Sequence, residues 1–116
     1  DTNGTATPFL NHRTLSLRTP MIVGILQLEL TIDWAQSLKD KRRVVASLKD
    51  RLHREHQVSV AEVAEQDNIR VARLGVVMAA SSVPSCQSTL DRILDKVQRH
   101  RDCVLADHAV EILTGR

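Results

Sequence analysis

Six cations gathered on one stretch carry the most evident chemistry in this chain: Lys39, Lys41, Arg42, Arg43, Lys49 and Arg54. Ser37 with Asp40 three residues on, ahead of an apolar-periodic run, reads as a helix N-cap with its capping-box partner. Lys39, Lys41, Arg42 and Arg43 therefore fall in the first two turns of a helix. There the partial positive charge of the N-terminus disfavours cations by about 0.3 to 1 kcal/mol each at low salt. Lys39 and Arg43 also repel as like charges at i, i+4. Local rules tend to fail where function demands it. Cations crowded around exposed helix-opening amides attract phosphate, which the amides and dipole already favour. Such contacts give affinity without sequence preference. The same run also serves as a solvated face, the commoner meaning of a charged helix. Residues 39–54 hold seven Lys or Arg against two Asp, a local +5 in a chain of net charge +2. The remainder is acidic by three charges, so any polyanion role must come from this concentration rather than from the whole molecule.

Other reactive side chains form no catalytic constellation. His53 and His56 stand at i, i+3 and could share a metal, but no third ligand is positioned by sequence, so they read as surface histidines. His108 reads as a partly buried histidine. Cys86, near a predicted helix start, could have a lowered pKa but has no acid or base partner, which favours a structural thiol. Trp34, just before the basic helix, is suited to stack on a ligand or, more commonly, to staple its loop to the core. With four Gly in the chain there is no phosphate-cradling glycine loop. The expectation is a protein that is not an enzyme, with no catalytic residue, metal or cofactor.

What must position the cations is one small domain. The chain has 116 residues, 42% of them hydrophobic, enough for a single core. Its aromatics are Phe9 and Trp34 alone, so that core is built from Leu, Val, Ile and Ala. Asp1 to Pro20 is rich in Thr, Asn and Pro without periodicity. It is expected to be a flexible or artefactual extension, with Phe9, Leu10, Leu15 and Leu17 as the residues by which it would dock. The domain then begins at Met21. No stretch of about 18 apolar residues exists to span a membrane, and no basic-then-apolar leader is visible, so a cytoplasmic location is expected. Cys86 and Cys103 bracket a predicted helix and stand about 25 Å apart at 1.5 Å per residue, too far for a disulfide.

Alternation from Ile22 to Ile32 predicts a half-buried strand with Leu26, Leu28, Leu30 and Ile32 inward. A helix over Ser37 to Glu55 follows, its apolar stripe Leu38, Val44, Val45, Leu48 and Leu52. Lys41 falls within that stripe, where its stem can lie along the core while its ammonium reaches water. Val58 to Glu65 reads as a second strand with a slip at Ala61 to Val63. Gln66, Asp67 and Asn68 make a turn into a third strand, Val71 to Ala80. Ser81, Ser82 and Pro84 open a second helix running to about His100, and Val104 to Leu113 closes the domain with Val110 and Ile112 inward. Strand, helix, strand, strand, helix, strand with right-handed crossovers predicts a ferredoxin-like α+β sandwich, βαββαβ. Two helices then lie on one face of a four-stranded antiparallel sheet.

Met21-Ile22-Val23-Gly24, Leu28-Glu29-Leu30, Ala35-Gln36-Ser37-Leu38-Lys39-Asp40-Lys41-Arg42-Arg43, Ser59-Val60-Ala61-Glu62-Val63, Gln66-Asp67 and Ala72-Arg73-Leu74-Gly75 together resemble the YlxP family, the domain of unknown function 503. The likeness runs from Met21 to about Leu113, and Ser-Leu-Lys-x-Lys-Arg is its most specific block. The resemblance implies a small bacterial protein of ferredoxin-like fold without an established activity. Because family genes often lie beside those of translation initiation and ribosome maturation factors, it also implies ribosomal RNA or a ribosomal subunit as a partner. Ile69 departs from the aromatic expected in the hairpin turn, which argues against base stacking there.

Two roles follow. In the first, Lys39, Lys41, Arg42, Arg43, Lys49 and Arg54 bind an RNA phosphate backbone. Stacking of bases in the manner of an RNA recognition motif is excluded, because Ile22 to Ile32 and Val71 to Ala80 contain no aromatic. In the second, the sheet face that no helix covers, with Val23, Ile25, Val77, Ala79 and Ala109 rimmed by Glu29, Arg73 and Glu111, makes a homodimer or docks a protein partner. Scattered small aliphatics on an open antiparallel sheet are the ordinary alternative.

Overall fold

A computed structural model describes residues 19–115. Its elements run β1 (Met21–Thr31), α1 (Leu38–Glu55), β2 (Ser59–Ala64), β3 (Val71–Ala80), α2 (Val83–Gln98) and β4 (Val104–Gly115). The four strands form one sheet in the order β2-β3-β1-β4, every neighbouring pair antiparallel. This is the expected ferredoxin-like βαββαβ sandwich. The expected docking of Phe9, Leu10, Leu15 and Leu17 lies outside the described residues.

Period-two alternation turns Ile22, Leu26, Leu28 and Leu30 of β1 and Ala72, Leu74, Val76 and Met78 of β3 to one side of the sheet. Both helices cover that side, α1 with Val44, Val45, Leu48 and Leu52 and α2 with Cys86, Leu90, Ile93 and Val97. Each helix starts at a serine: Ser37 Oγ accepts from the Asp40 amide at 3.2 Å and Ser82 Oγ from the Ser85 amide at 3.3 Å. Gly24 sets how closely α2 can settle. A Cβ at that position would lie 2.5 Å from Cys86 Sγ and 3.2 Å from Leu90 Cδ1.

The slip expected in β2 is a bulge at Val63, where the register with β3 shifts between Glu62 and Ala64. A second irregularity, between Glu29 and Leu30, displaces the pairing of β1 with the start of β4. Strand β4 runs two residues past its expected end, and its inner side is covered less than expected. Val110 stands opposite the fully buried Leu26 yet is 40% exposed. The helices sit over the centre of the sheet, so an edge strand keeps only part of their shelter. Ile112, further along, does pack against the core. Cys86 and Cys103 are free and buried, as their separation required.

Gly24→Ala forces a methyl group into the α2 contact and is expected to destabilise the domain by about 1 to 3 kcal/mol, the range of overpacked cores. Removing the sulfur with Cys86→Ala in the same chain should restore part of the loss. Urea unfolding of the two single variants and the double variant checks this; additive losses would mean that the two positions do not meet.

Candidate functional site

The opening of α1 is already supplied with an anion. Asp40 Oδ2 accepts from the Gln36 amide at 2.9 Å, and Asp40 Oδ1 lies 3.8 Å from Arg43. A carboxylate in the first helical turn complements the macrodipole and occupies the electrostatic role expected of a bound phosphate.

Lys41 departs furthest from expectation. The sequence places it among the phosphate-binding cations with its ammonium in water, but it is fully buried. Its position in the apolar stripe of α1 carries the stem inward, towards the turn joining β2 to β3. There Nζ donates to the Glu65 carbonyl at 2.6 Å and the Val71 carbonyl at 3.0 Å, with Gln66 O at 3.4 Å. Glu62 Oε2 lies 2.9 Å from Nζ as an ion pair. That oxygen has no hydrogen-bond partner of good geometry, so the contact is electrostatic rather than directional. An ammonium has three protons, and four oxygens crowd it. Lys41 is thus a structural cation and is unavailable to a phosphate.

The five remaining cations divide. Arg43 faces Asp40, and Arg54 Nε pairs with Asp50 at 3.1 Å. Lys39, Arg42 and Lys49 have no acid within ion-pair distance among the described residues. At 100° per residue these three share one flank of α1. The opposite flank bears Arg51 and Glu55, whose carboxylate reaches Lys96 of α2 at 2.5 Å. The unpaired cations therefore point away from the second helix.

The open side of the sheet brings Val23, Ile25, Val77, Ala79 and Ala109 together, as expected. Val23 pairs with Ala79, Ile25 with Val77, and Ala109 stands opposite Gln27. Met21, Val63 and Leu113, all exposed, extend the apolar area. At its other end Arg73 donates to Glu29 across β1 and β3 at 2.6 Å, and this bond raises the guanidinium pKa. Glu111, opposite Ile25, sits on the edge strand.

The remaining candidates resolve individually. His56 lies against α2, with Nε2 2.9 Å from Lys96 Nζ, while His53 is exposed on the helix surface. The pair does not converge, and among the described residues no group of three His, Cys, Asp or Glu is arranged to hold a metal. Burial, followed by the Lys96 and Arg92 charges, lowers the His56 pKa. Burial raises the Cys86 thiol instead of lowering it, so the helix start does not activate it. Cys103 is pushed up to about 11 by burial and Asp102. His108 is exposed rather than partly buried, because it lies on the β4 edge that the helices leave uncovered. The Trp34 indole donates to the Asp102 carbonyl at 2.8 Å, tying the loop after β1 to the loop before β4.

Residues 23–110 match the model of a family described as Protein of unknown function (DUF503). The chain belongs to that family. Its matched span includes the basic opening of α1, the Lys41 anchor and the greater part of the open sheet face. Among DUF503 relatives, the chain is 30% identical over 73 residues to Uncharacterized protein YlxP of Bacillus subtilis (strain 168), covering 63% of this chain and 79% of that one. It is also similar to a solved structure, De novo designed protein Foldit4, at 17% identity and a TM-score of 0.49, covering 83% of this chain and 99% of that one. No helix among the described residues is long and apolar enough to cross a membrane.

Lys41→Met keeps the stem but removes the ammonium, leaving the carbonyls of Glu65, Gln66 and Val71 and the Glu62 carboxylate without their cation. The expected loss is about 2 to 4 kcal/mol, measured by urea unfolding; stability equal to the parent would contradict the anchoring role. His56 supplies a pH dependence. Its folded pKa is below its ordinary 6.5, so the unfolded chain binds the proton more readily. Stability should therefore decline as pH falls through 6.5 towards the folded value. His56→Gln should flatten that part of the thermal-unfolding profile.

Proposed function

We propose that this DUF503 protein is a non-enzymatic binding protein whose working surface is the open sheet face, and that the face docks a second copy of the chain. The observation that carries the reading is the continuity of Val23, Ile25, Val77 and Ala79 across the two central strands, with exposed Met21 and Leu113 beside them. An apolar surface of this kind on a small domain marks an interaction site. The charges nearest it at the far end, Glu29 and Arg73, already neutralise each other, and Glu111 lies on the edge strand where a rim keeps water. A face so arranged can meet its own copy about a two-fold axis without stranding a lone charge in the middle.

A second reading has one specific observation in its favour. Lys39, Arg42 and Lys49 line a single flank of α1 without acid partners among the described residues. They are the part of the basic block suited to an RNA phosphate backbone, in ribosomal RNA or a ribosomal subunit, with Arg43 and Arg54 contributing only if their acids release them. Both roles are proposed for a cytoplasmic protein.

Sedimentation equilibrium at high concentration tests the first reading. The parent should be dimeric, and Val23→Glu or Val77→Glu should yield a folded monomer. A monomeric parent, or a dimer indifferent to both changes, rejects the sheet face. Replacing Lys39, Arg42 and Lys49 with Ala should leave the dimer intact. If the second reading holds, the same triple change weakens RNA binding across sequences and lowers its salt slope by about one unit for each phosphate that is no longer neutralised.

A further inference from the structure

We propose that a hollow at one end of the sandwich, between the C-terminal end of α1, the end of β3 and the first turns of α2, binds the phosphate group of a small phosphomonoester, with Arg92 as its principal ligand. The hollow is about 390 Å³, within the size range of small-molecule pockets. It lies apart from the free flank of α1 and meets the sheet face only at Ala79, which borders both.

Chemistry at the site comes from a helical stripe. Ser85, Thr89, Arg92 and Lys96 stand at i, i+4, i+7 and i+11, so α2 turns two hydroxyls and two cations towards the end of α1. Ser85, Thr89 and Arg92 line the hollow, together with Ser81 after β3 and His56 and Gln57 after α1. Arg92 Nη2 donates to Thr89 Oγ1 at 3.3 Å, which holds the guanidinium beside the hydroxyl, and Arg92 has no acid partner among the described residues. The carboxylate on the wall, Glu55, is taken by Lys96 and Arg51, at 2.5 and 3.4 Å. No acid stands in the first turn of α2. A guanidinium with free donors, neighbouring hydroxyls and a neutralised carboxylate select a compact oxyanion over a cation, and a fork of N–H groups suits phosphate.

His56 reports the sign of the field. The groups facing it are Glu55 beside it on α1 and Lys96 and Arg92 from α2, while the end of β3 contributes only Met78, Ala79 and Ala80. Burial and the two cations lower the ring's pKa, and Nε2 lies 2.9 Å from Lys96 Nζ. A phosphate seated at Arg92 would offset those cations and make protonation of the ring easier. Binding should thus raise the His56 pKa, a response that a phosphate held elsewhere would not produce.

The test is an NMR titration of the labelled full chain at constant ionic strength, with inorganic phosphate, adenosine 5′-monophosphate, adenosine and chloride as probes. Phosphate and the nucleotide should shift the Arg92 side-chain and His56 ring signals saturably and move the His56 titration upward. Arg92→Ala should weaken binding on the order of tenfold or more, with Arg92→Lys retaining part of it. The variant lacking Lys39, Arg42 and Lys49 should bind as the parent does. Absence of saturation, equal shifts from chloride or adenosine, persistence in Arg92→Ala, or failure of the α1 triple variant to bind would each overturn the assignment.

Discussion

One buried ammonium organises this domain. Lys41 leaves the first turn of α1, passes through the apolar layer and ends among the oxygens of Glu65, Val71 and Glu62. A lysine is rarely buried unless every proton is engaged, and here each has an oxygen to meet. The bond to Glu65 matters twice. Glu65 adopts φ 64°, the left-handed region that non-glycine residues avoid, and its carbonyl also accepts from the Asn68 amide at 3.0 Å. Asn68 Oδ1 then accepts from the amides of Arg70 and Val71. The turn and the helix opening therefore specify each other. A strained turn is held by a cation, and the cation is held by the turn.

That constraint explains why a block of like charge at a helix start need not be a binding site. Of the four cations in the first two turns, one is committed to the interior and one faces Asp40. What the helix offers to solvent is a narrower flank of unpaired charge, turned away from α2. The sheet offers the converse, an apolar surface bordered by the Glu29–Arg73 pair, with Glu111 on the edge strand. The unpaired cations of α1 and the apolar area of the sheet thus lie on separate sides of the molecule.

Much of the fold is legible directly. Alternation in β1 and β3 and serines ahead of each helix mark elements that match within a residue or two, and the disrupted alternation at Ala61 to Val63 coincides with the bulge. The five residues of the open face follow from the same alternation once the topology is known. Lys41 is legible except at its tip: periodicity shows that it faces the core, but whether a long side chain turns outward or finds acceptors inside depends on a turn some 25 residues later. A signal exists in Glu62, an acid beside the disrupted stretch of β2, although nothing local pairs the two. The exposure of Val110 and His108 is hidden because period two assigns a side of the sheet and says nothing of how far the helices extend over its edge. The stripe of Ser85, Thr89, Arg92 and Lys96 is visible as spacing, but its meaning needs His56 and Glu55, which only the packing of α1 against α2 brings near.

Trp34 gives the domain a built-in optical probe. It is the single indole in a chain without tyrosine, and its N–H is bonded to the Asp102 carbonyl across two loops. Its emission therefore comes from one known place, where the segment leaving β1 meets the segment entering β4. Opening of that seam would alter the hydration of the ring and move the emission wavelength, even while helical circular dichroism stayed unchanged. Local fraying at this end can thus be followed by light in the unmodified protein, separately from cooperative unfolding.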